Sequence, residues 1–198
     1  GLIKRLLDEN DPVSQKLIEK AVFYIVPNMN VDGSIHGNLR VNSLGINYNR
    51  EWNEPSLEKS PEVYHIRNIM DKVGVDMCLD IHGDEELPYN FISRNEGIPK
   101  YTKRLEDLEQ AFIDSWLRVS PDFQYGIGYP KSEPGKANMT VCSKHLGQRF
   151  DCLSLTVEMP FKDNSTMPNP QYGWSPERSM HFGKSVLNSV LDVVDLLR

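Results

Sequence analysis

Two apolar runs in this chain each break off on an ionisable side chain, and no other feature constrains the fold as tightly. VDMCLDI (residues 75–81) runs into His82, and CLSLTV (residues 152–157) runs into Glu158. Short, branched, nearly continuous apolar runs read as strands buried on both faces, the kind found in parallel sheets of α/β proteins. Such strands need helices above and below, so the rest of the chain has to supply them. Groups at the carboxyl ends of those strands stand where α/β sheets bind ligands. Burying a carboxylate behind Leu153, Leu155 and Val157 costs several kcal/mol unless it is paired or faces a metal, so Glu158 needs a reason to be there.

The covering helices are legible. GLIKRLLDE carries a helical apolar face to about Asn10, with no capping residue before it, so the sequence reads as continuing a helix that begins upstream of Gly1. Asp11-Pro12 starts a second helix that reaches Lys20, and AVFYIVP (residues 21–27) reads as a buried strand ended by proline. Residues 28–55 are rich in Asn and Gly and lack periodicity, a loop length that is uncommon unless it has a task. Ser60-Pro61-Glu62 opens a helix to about Val73, Pro99 opens another to Val119, and Pro176-Glu177 opens the last. YNFIS (89–93) is a further short strand, and the Gly- and Pro-rich segment 121–140 reads as a second surface loop near a site. Strands at 21–27, 75–81, 89–93 and 152–158 alternating with helices predict one α/β domain over residues 1–198, its sheet largely parallel and flanked by helices.

Charge and cysteine usage exclude several classes. The net charge is -6 with no clustered Lys/Arg run, which argues against a nucleic-acid partner. No stretch reaches the roughly 18 consecutive apolar residues of a membrane span, and no basic-then-apolar leader opens the sequence. Cys78, Cys142 and Cys152 form no CxxC pair, and two of them sit in apolar runs as small hydrophobes, which predicts free thiols and a cytoplasmic setting.

The polar residues form a chemical set. His82 is a candidate metal ligand, since a neutral imidazole is the commonest one. Literal HxxE spacing exists in His82-Gly83-Asp84-Glu85, but it is a weak match, because Glu85 belongs to the acidic run DEE, read here as exposed. Glu158 suits a general base acting on a metal-bound water, and Arg40 suits a developing oxyanion. Asn49 with Arg50 could grip a substrate carboxylate, since a guanidinium pairs bidentately. Together they describe hydrolysis beside a free carboxylate.

Five motifs in order then carry a resemblance: Asn30-Val31-Asp32-Gly33; Gly37-Asn38-Leu39-Arg40; Asn47-Tyr48-Asn49-Arg50-Glu51-Trp52; Asp80-Ile81-His82-Gly83; and Thr156-Val157-Glu158-Met159. Over roughly residues 1–165 the chain resembles zinc carboxypeptidases of the carboxypeptidase A type, most of all the cytosolic carboxypeptidase branch. The resemblance implies a mixed sheet between helices and cleavage at the C-termini of peptides or proteins. It implies His82 as the third zinc ligand, Arg40 as polariser of the scissile carbonyl, Asn49 and Arg50 as the carboxylate clamp, and Glu158 as general base. The first two ligands of Zn2+ would come from an HxxE motif upstream of Gly1, so the chain reads as a catalytic domain truncated at its N-terminus. Val31 stands where the family has proline, and Asn47 where it has an acid. Acidic C-terminal residues are typical substrates of that branch, read by a basic side chain for which Lys136, Lys144 and Arg149 are candidates. Two other readings share part of this set: an N-acyl amino acid amidohydrolase, and a non-catalytic module that binds peptide C-termini without zinc.

Overall fold

Helix starts come first, because the sequence writes them most plainly. The computed structural model describes residues 1–198, and its first helices, α1 (Leu2–Leu6) and α2 (Pro12–Lys20), are joined by a turn in which Asp11 accepts a hydrogen bond from Ser14 N. Helix α4 (Pro61–Val73) begins at Ser60-Pro61 as expected, although the Ser60 hydroxyl accepts from Ser56 N instead of capping the helix. Thr102 caps α5 (Lys103–Val119) and Ser175 caps α7 (Pro176–Val193), each accepting from the backbone N–H of the third residue on.

The sheet has three strands: β1 (Met77–Asp84), β2 (Phe91–Ser93) and β3 (Leu153–Pro160), in the order β1-β3-β2. β1 runs parallel to β3 and β2 runs antiparallel to it, so the sheet is mixed. Period-two alternation then divides β1 and β3 into two faces. Leu153, Leu155 and Val157 point into the main core, where α5 and α7 contribute Phe112, Trp116, Phe182 and Leu187. Trp116 stacks between Phe123 and Phe182, both at 4.6 Å and 18°, and donates Nε1 to Ser185 Oγ at 2.9 Å. The other face carries Asp80, His82, Thr156 and Glu158. Helix α6 (Cys142–Phe150) lies over part of it, and Cys142 and Leu146 pack there with Tyr48, Trp52 and Val63 in a second, smaller core.

The structure corrects four expectations. Residues 21–27 form no strand: the segment is extended but joins no ladder, with Val22 80% and Tyr24 67% exposed. β-propensity describes fit to a neighbouring strand, and no strand of residues 1–198 lies beside this segment. β1 and β3 run past the expected ends at 81 and 158, because pairing of the two strands continues to Asp84 and Pro160. The stretch 28–55 holds two helical pieces, α3 (Val31–His36), capped by Asn30 and ended by Gly37 at φ 71°, and a 3-10 turn at Tyr48–Arg50. Helix α6 was not expected, since its apolar residues are few and Gly147 interrupts it. That glycine is needed, because a Cβ there would stand 2.3 Å from Asn95 Nδ2.

Candidate active site

The β1–β3 register sets His82 beside Glu158 and Asp80 beside Thr156, so four polar side chains share one face near the carboxyl ends of the strands. Helix α6 seals the lower part of this face through Ser143 Oγ, 2.7 Å from Thr156 Oγ1. At the top, Asp80 Oδ2 lies 2.9 Å from His82 Nε2, though too far off the N–H direction to make a good hydrogen bond. Burial works against the imidazolium, but the neighbouring Asp80 outweighs it and shifts the His82 pKa upward.

Asn49 reaches the same place from the long loop. Asn47 Oδ1 accepts from Asn49 N at 3.0 Å and pins the 3-10 turn, so an amide performs this local task at the position where the family has an acid. Asn49 Oδ1 accepts from Cys142 N at 2.8 Å, which turns Nδ2 toward His82 Nε2 at 3.5 Å. Both contacts of His82 therefore fall on Nε2, leaving Nδ1 for another ligand. A carboxylate beside the opposite ring nitrogen is a common environment of a metal-binding histidine.

Glu158 is 5% exposed, and burial pushes its carboxyl up to about 7 despite the opposing pull of His82 and Tyr129. Its Oε1 takes the Tyr129 hydroxyl at 3.2 Å, and its Oε2 is buried with no hydrogen-bond partner. Glu85 contrasts with it: this exposed carboxylate accepts from its own backbone N–H and pairs with Arg40, and both contacts lower its pKa. The DEE run thus divides, since Glu85 is exposed as expected while Asp84 is buried, its Oδ1 accepting from Glu86 N at 2.8 Å and Leu87 N at 2.6 Å.

Of the five expected site residues, His82, Glu158 and Asn49 converge. Arg40 is tied to Glu85 at the rim, and Arg50 is exposed, its guanidinium folded back on the Asn49 carbonyl at 2.6 Å. Tyr129, which sequence reasoning missed, belongs to the 121–140 loop already placed near a site. No three His, Cys, Asp or Glu side chains of this chain converge as a metal site, so His82 alone does not make one. Beside Tyr129 opens a cavity of about 280 Å³ lined by Arg94, Glu96, Tyr125, Ser132 and Lys144 among others. Of the three basic candidates, Lys144 faces this cavity, Lys136 is exposed, and Arg149 pairs with Asp71 at 2.6 Å.

The chain is similar to known proteins over its whole length. The chain is 47% identical over 197 residues to an uncharacterised protein of Zymomonas mobilis, all of the chain matching 52% of that protein. It is 27% identical to cytosolic carboxypeptidase 6 of Caenorhabditis elegans over 172 residues, covering 81% of this chain and 36% of that one. A metallo-carboxypeptidase from Pseudomonas aeruginosa, solved in complex with (2-guanidinoethylmercapto)succinic acid, superposes with a TM-score of 0.97 at 50% identity, covering 100% of this chain and 52% of the other. The chain therefore spans about half the length, or less, of these relatives. Residues 1–182 match the zinc carboxypeptidase family, and the chain belongs to that family.

Proposed function

We propose that residues 1–198 form the catalytic part of a zinc-dependent carboxypeptidase that removes C-terminal residues from peptides or proteins. The observation that carries this reading is the meeting of His82, Glu158 and Asn49 on one sheet face, with a buried carboxylate oxygen left unpartnered. Zinc, when bound, supplies Lewis acidity toward the scissile carbonyl and its attacking water. His82 would hold the zinc through its Nδ1, and no group of three His, Cys, Asp or Glu among residues 1–198 completes a site around it.

The chain's own residues divide the remaining work. Glu158, raised to about 7, takes a proton from the attacking water and passes it to the departing amine. Arg40 polarises the scissile carbonyl by exchanging Glu85 for the substrate oxygen, a change that its exposed side chain permits. Arg50 turns from the Asn49 carbonyl to the substrate carboxylate, with the Asn49 amide as second donor. The succinic acid derivative bound by the Pseudomonas protein presents carboxylates, the group this pair is suited to grip. Lys144 is the candidate reader of an acidic side chain. The free thiols of all three cysteines and the cytosolic carboxypeptidase relatives favour a cytoplasmic setting; no helix here is long and apolar enough to cross a membrane.

The test is a cycle between Arg50→Ala and amidation of the peptide's C-terminus, run in the complete, zinc-loaded protein. Each change alone is expected to lower kcat/KM by about 10- to 1,000-fold, and the two together by little more than one. Equal cleavage of free-acid and amidated peptides would overturn the exopeptidase reading. Binding of free-acid peptides without turnover would favour the non-catalytic module, and preference for N-acyl amino acids over peptides would favour the amidohydrolase.

A further inference from the structure

Tyr129 lies on a segment without regular secondary structure, yet its hydroxyl is held at a defined point. Three contacts fix it. Its ring meets Phe91 edge-on at 4.9 Å and 88°, and Phe91 is the residue of β2 opposite Glu158. Gly128 lets the loop lie close over that ring, because a Cβ at this position would stand 3.0 Å from Phe91 Cδ2. The Gln124 side chain closes the turn before it, donating to the Ile127 carbonyl at 2.7 Å and accepting from Ile127 N at 2.8 Å. The hydroxyl then lies 2.5 Å from Asp84 Oδ2 and 3.2 Å from Glu158 Oε1.

A phenol has one proton to donate, and the shorter contact goes to Asp84. Asp84 is well placed to take it, being 6% exposed with Oδ1 already fixed by two backbone N–H groups. Those two bonds are sufficient to cap the turn after β1, so Oδ2 is not needed for that purpose. The two oxygens have separate tasks, one toward the backbone and one toward Tyr129.

We propose that Asp84 is a positioning residue that seats the Tyr129 hydroxyl against Glu158 and thereby fixes the loop over the reacting carboxylate. This rests on the carboxypeptidase reading for its effect on rate, but not for its effect on the loop. Removing the anchor leaves the Tyr129 ring on Phe91 with a hydroxyl free to swing, and the loop 124–130 loses its tie to β1.

Asp84→Asn keeps the turn bonds through its amide oxygen and replaces the charged acceptor of the Tyr129 hydroxyl with an NH2 that can only donate to the phenol oxygen, a weaker contact of reversed direction. In the complete protein, hydrogen exchange at residues 124–130 is expected to quicken by about 5-fold or more in both Asp84→Asn and Tyr129→Phe, with residues 84–87 unchanged. In the zinc-loaded protein, kcat/KM is expected to fall by about 5- to 50-fold in each variant and no further in the double variant. Unchanged exchange at 124–130 in Asp84→Asn, or losses that multiply in the double variant, would overturn the proposal. If Asp84→Asn does not fold, Tyr129→Phe decides by the same exchange measurement, since normal protection of the loop without the hydroxyl would sink it. A wild-type protein with no peptidase activity whose loop still loosens in both variants would refute the carboxypeptidase reading and leave the positioning role standing.

Discussion

Two of the buried carboxylates, Glu109 and Glu158, are hydrogen-bonded in opposite ways. Glu109 on α5 is fully buried beside Arg94, which follows directly on β2, and every polar atom of the pair is engaged. Arg94 Nε donates to Glu109 Oε2 at 2.8 Å, and its other N–H groups reach Tyr125 Oη at 2.8 Å, Tyr101 Oη at 3.1 Å, the Glu106 carbonyl at 3.2 Å and Gln110 Oε1 at 3.3 Å. Glu109 Oε1 accepts from Asn95 N at 2.9 Å, and Tyr101 adds a second donor to Oε2 at 2.7 Å. Glu158 has one shared phenol and an oxygen with nothing. Burial raises the pKa of both carboxyls, but Glu109 is saturated with hydrogen bonds while Glu158 is left short of them.

The most severe test of that contrast is Glu158→Gln in the complete zinc-loaded protein. kcat is expected to fall by about 10²- to 10⁴-fold with KM little changed, as read by steady-state kinetics, while the fold survives because no satisfied network is broken. A near-normal kcat would move the base elsewhere, with Glu85 the next candidate despite its ion pair. The converse change is Glu109→Ala, which strands Arg94 in the interior. Urea unfolding should show a loss of about 3 to 5 kcal/mol, with the folded fraction keeping its kcat. A loss below about 1 kcal/mol would mean the saturated pair is not the stabilising one.

A smaller effect sharpens the comparison through pH. The folded metal-free protein holds the Glu158 proton up to about 7, whereas an unfolded glutamate releases it near 4.5. The native state therefore binds more protons across that window, so this group's stabilisation is complete below about 4.5 and is lost as pH rises through about 7. The stability of the parent relative to Glu158→Gln is expected to decline by about 3 kcal/mol from pH 4.5 to 8, at roughly 1.4 kcal/mol per unit of pKa. Parallel stability curves for the two proteins would show that Glu158 is solvated in a way this structure does not predict.

How much of this was legible in the sequence depends on the range of the interaction involved. β1, β3 and the longer helices follow from local pattern and helix-start residues, so 61–73 and 176–193 start where proline predicts, whereas α5 starts at Lys103, behind the Thr102 cap, and not at Pro99. Segment 21–27 has strand composition but pairs with no strand of residues 1–198, and pairing is a long-range fact that composition cannot carry. His82, Glu158 and Asn49 were legible because each stands in a motif with its own local signal. Asp84 with Tyr129 was not: 45 residues separate them, Asp84 was hidden among exposed acids, and a tyrosine in a glycine-rich loop has no signature until the fold brings it to a carboxylate. Helix α6 was lost because it is held by what it covers, with Asn95 under Gly147 and Thr156 under Ser143.

The alternation along β3 also governs how this protein is free to evolve. Val157 and Glu158 are neighbours in sequence and face opposite layers, one the α5/α7 core and the other the candidate site. Inserting or deleting one codon within Leu153–Val157 would shift the register and exchange them, placing a carboxylate among Phe112 and Leu155 and a valine beside His82. Substitution can adjust the chemistry at this strand one residue at a time. Changes of length cannot, and natural variation in length is expected to collect in loops that anchor no side chain at the site.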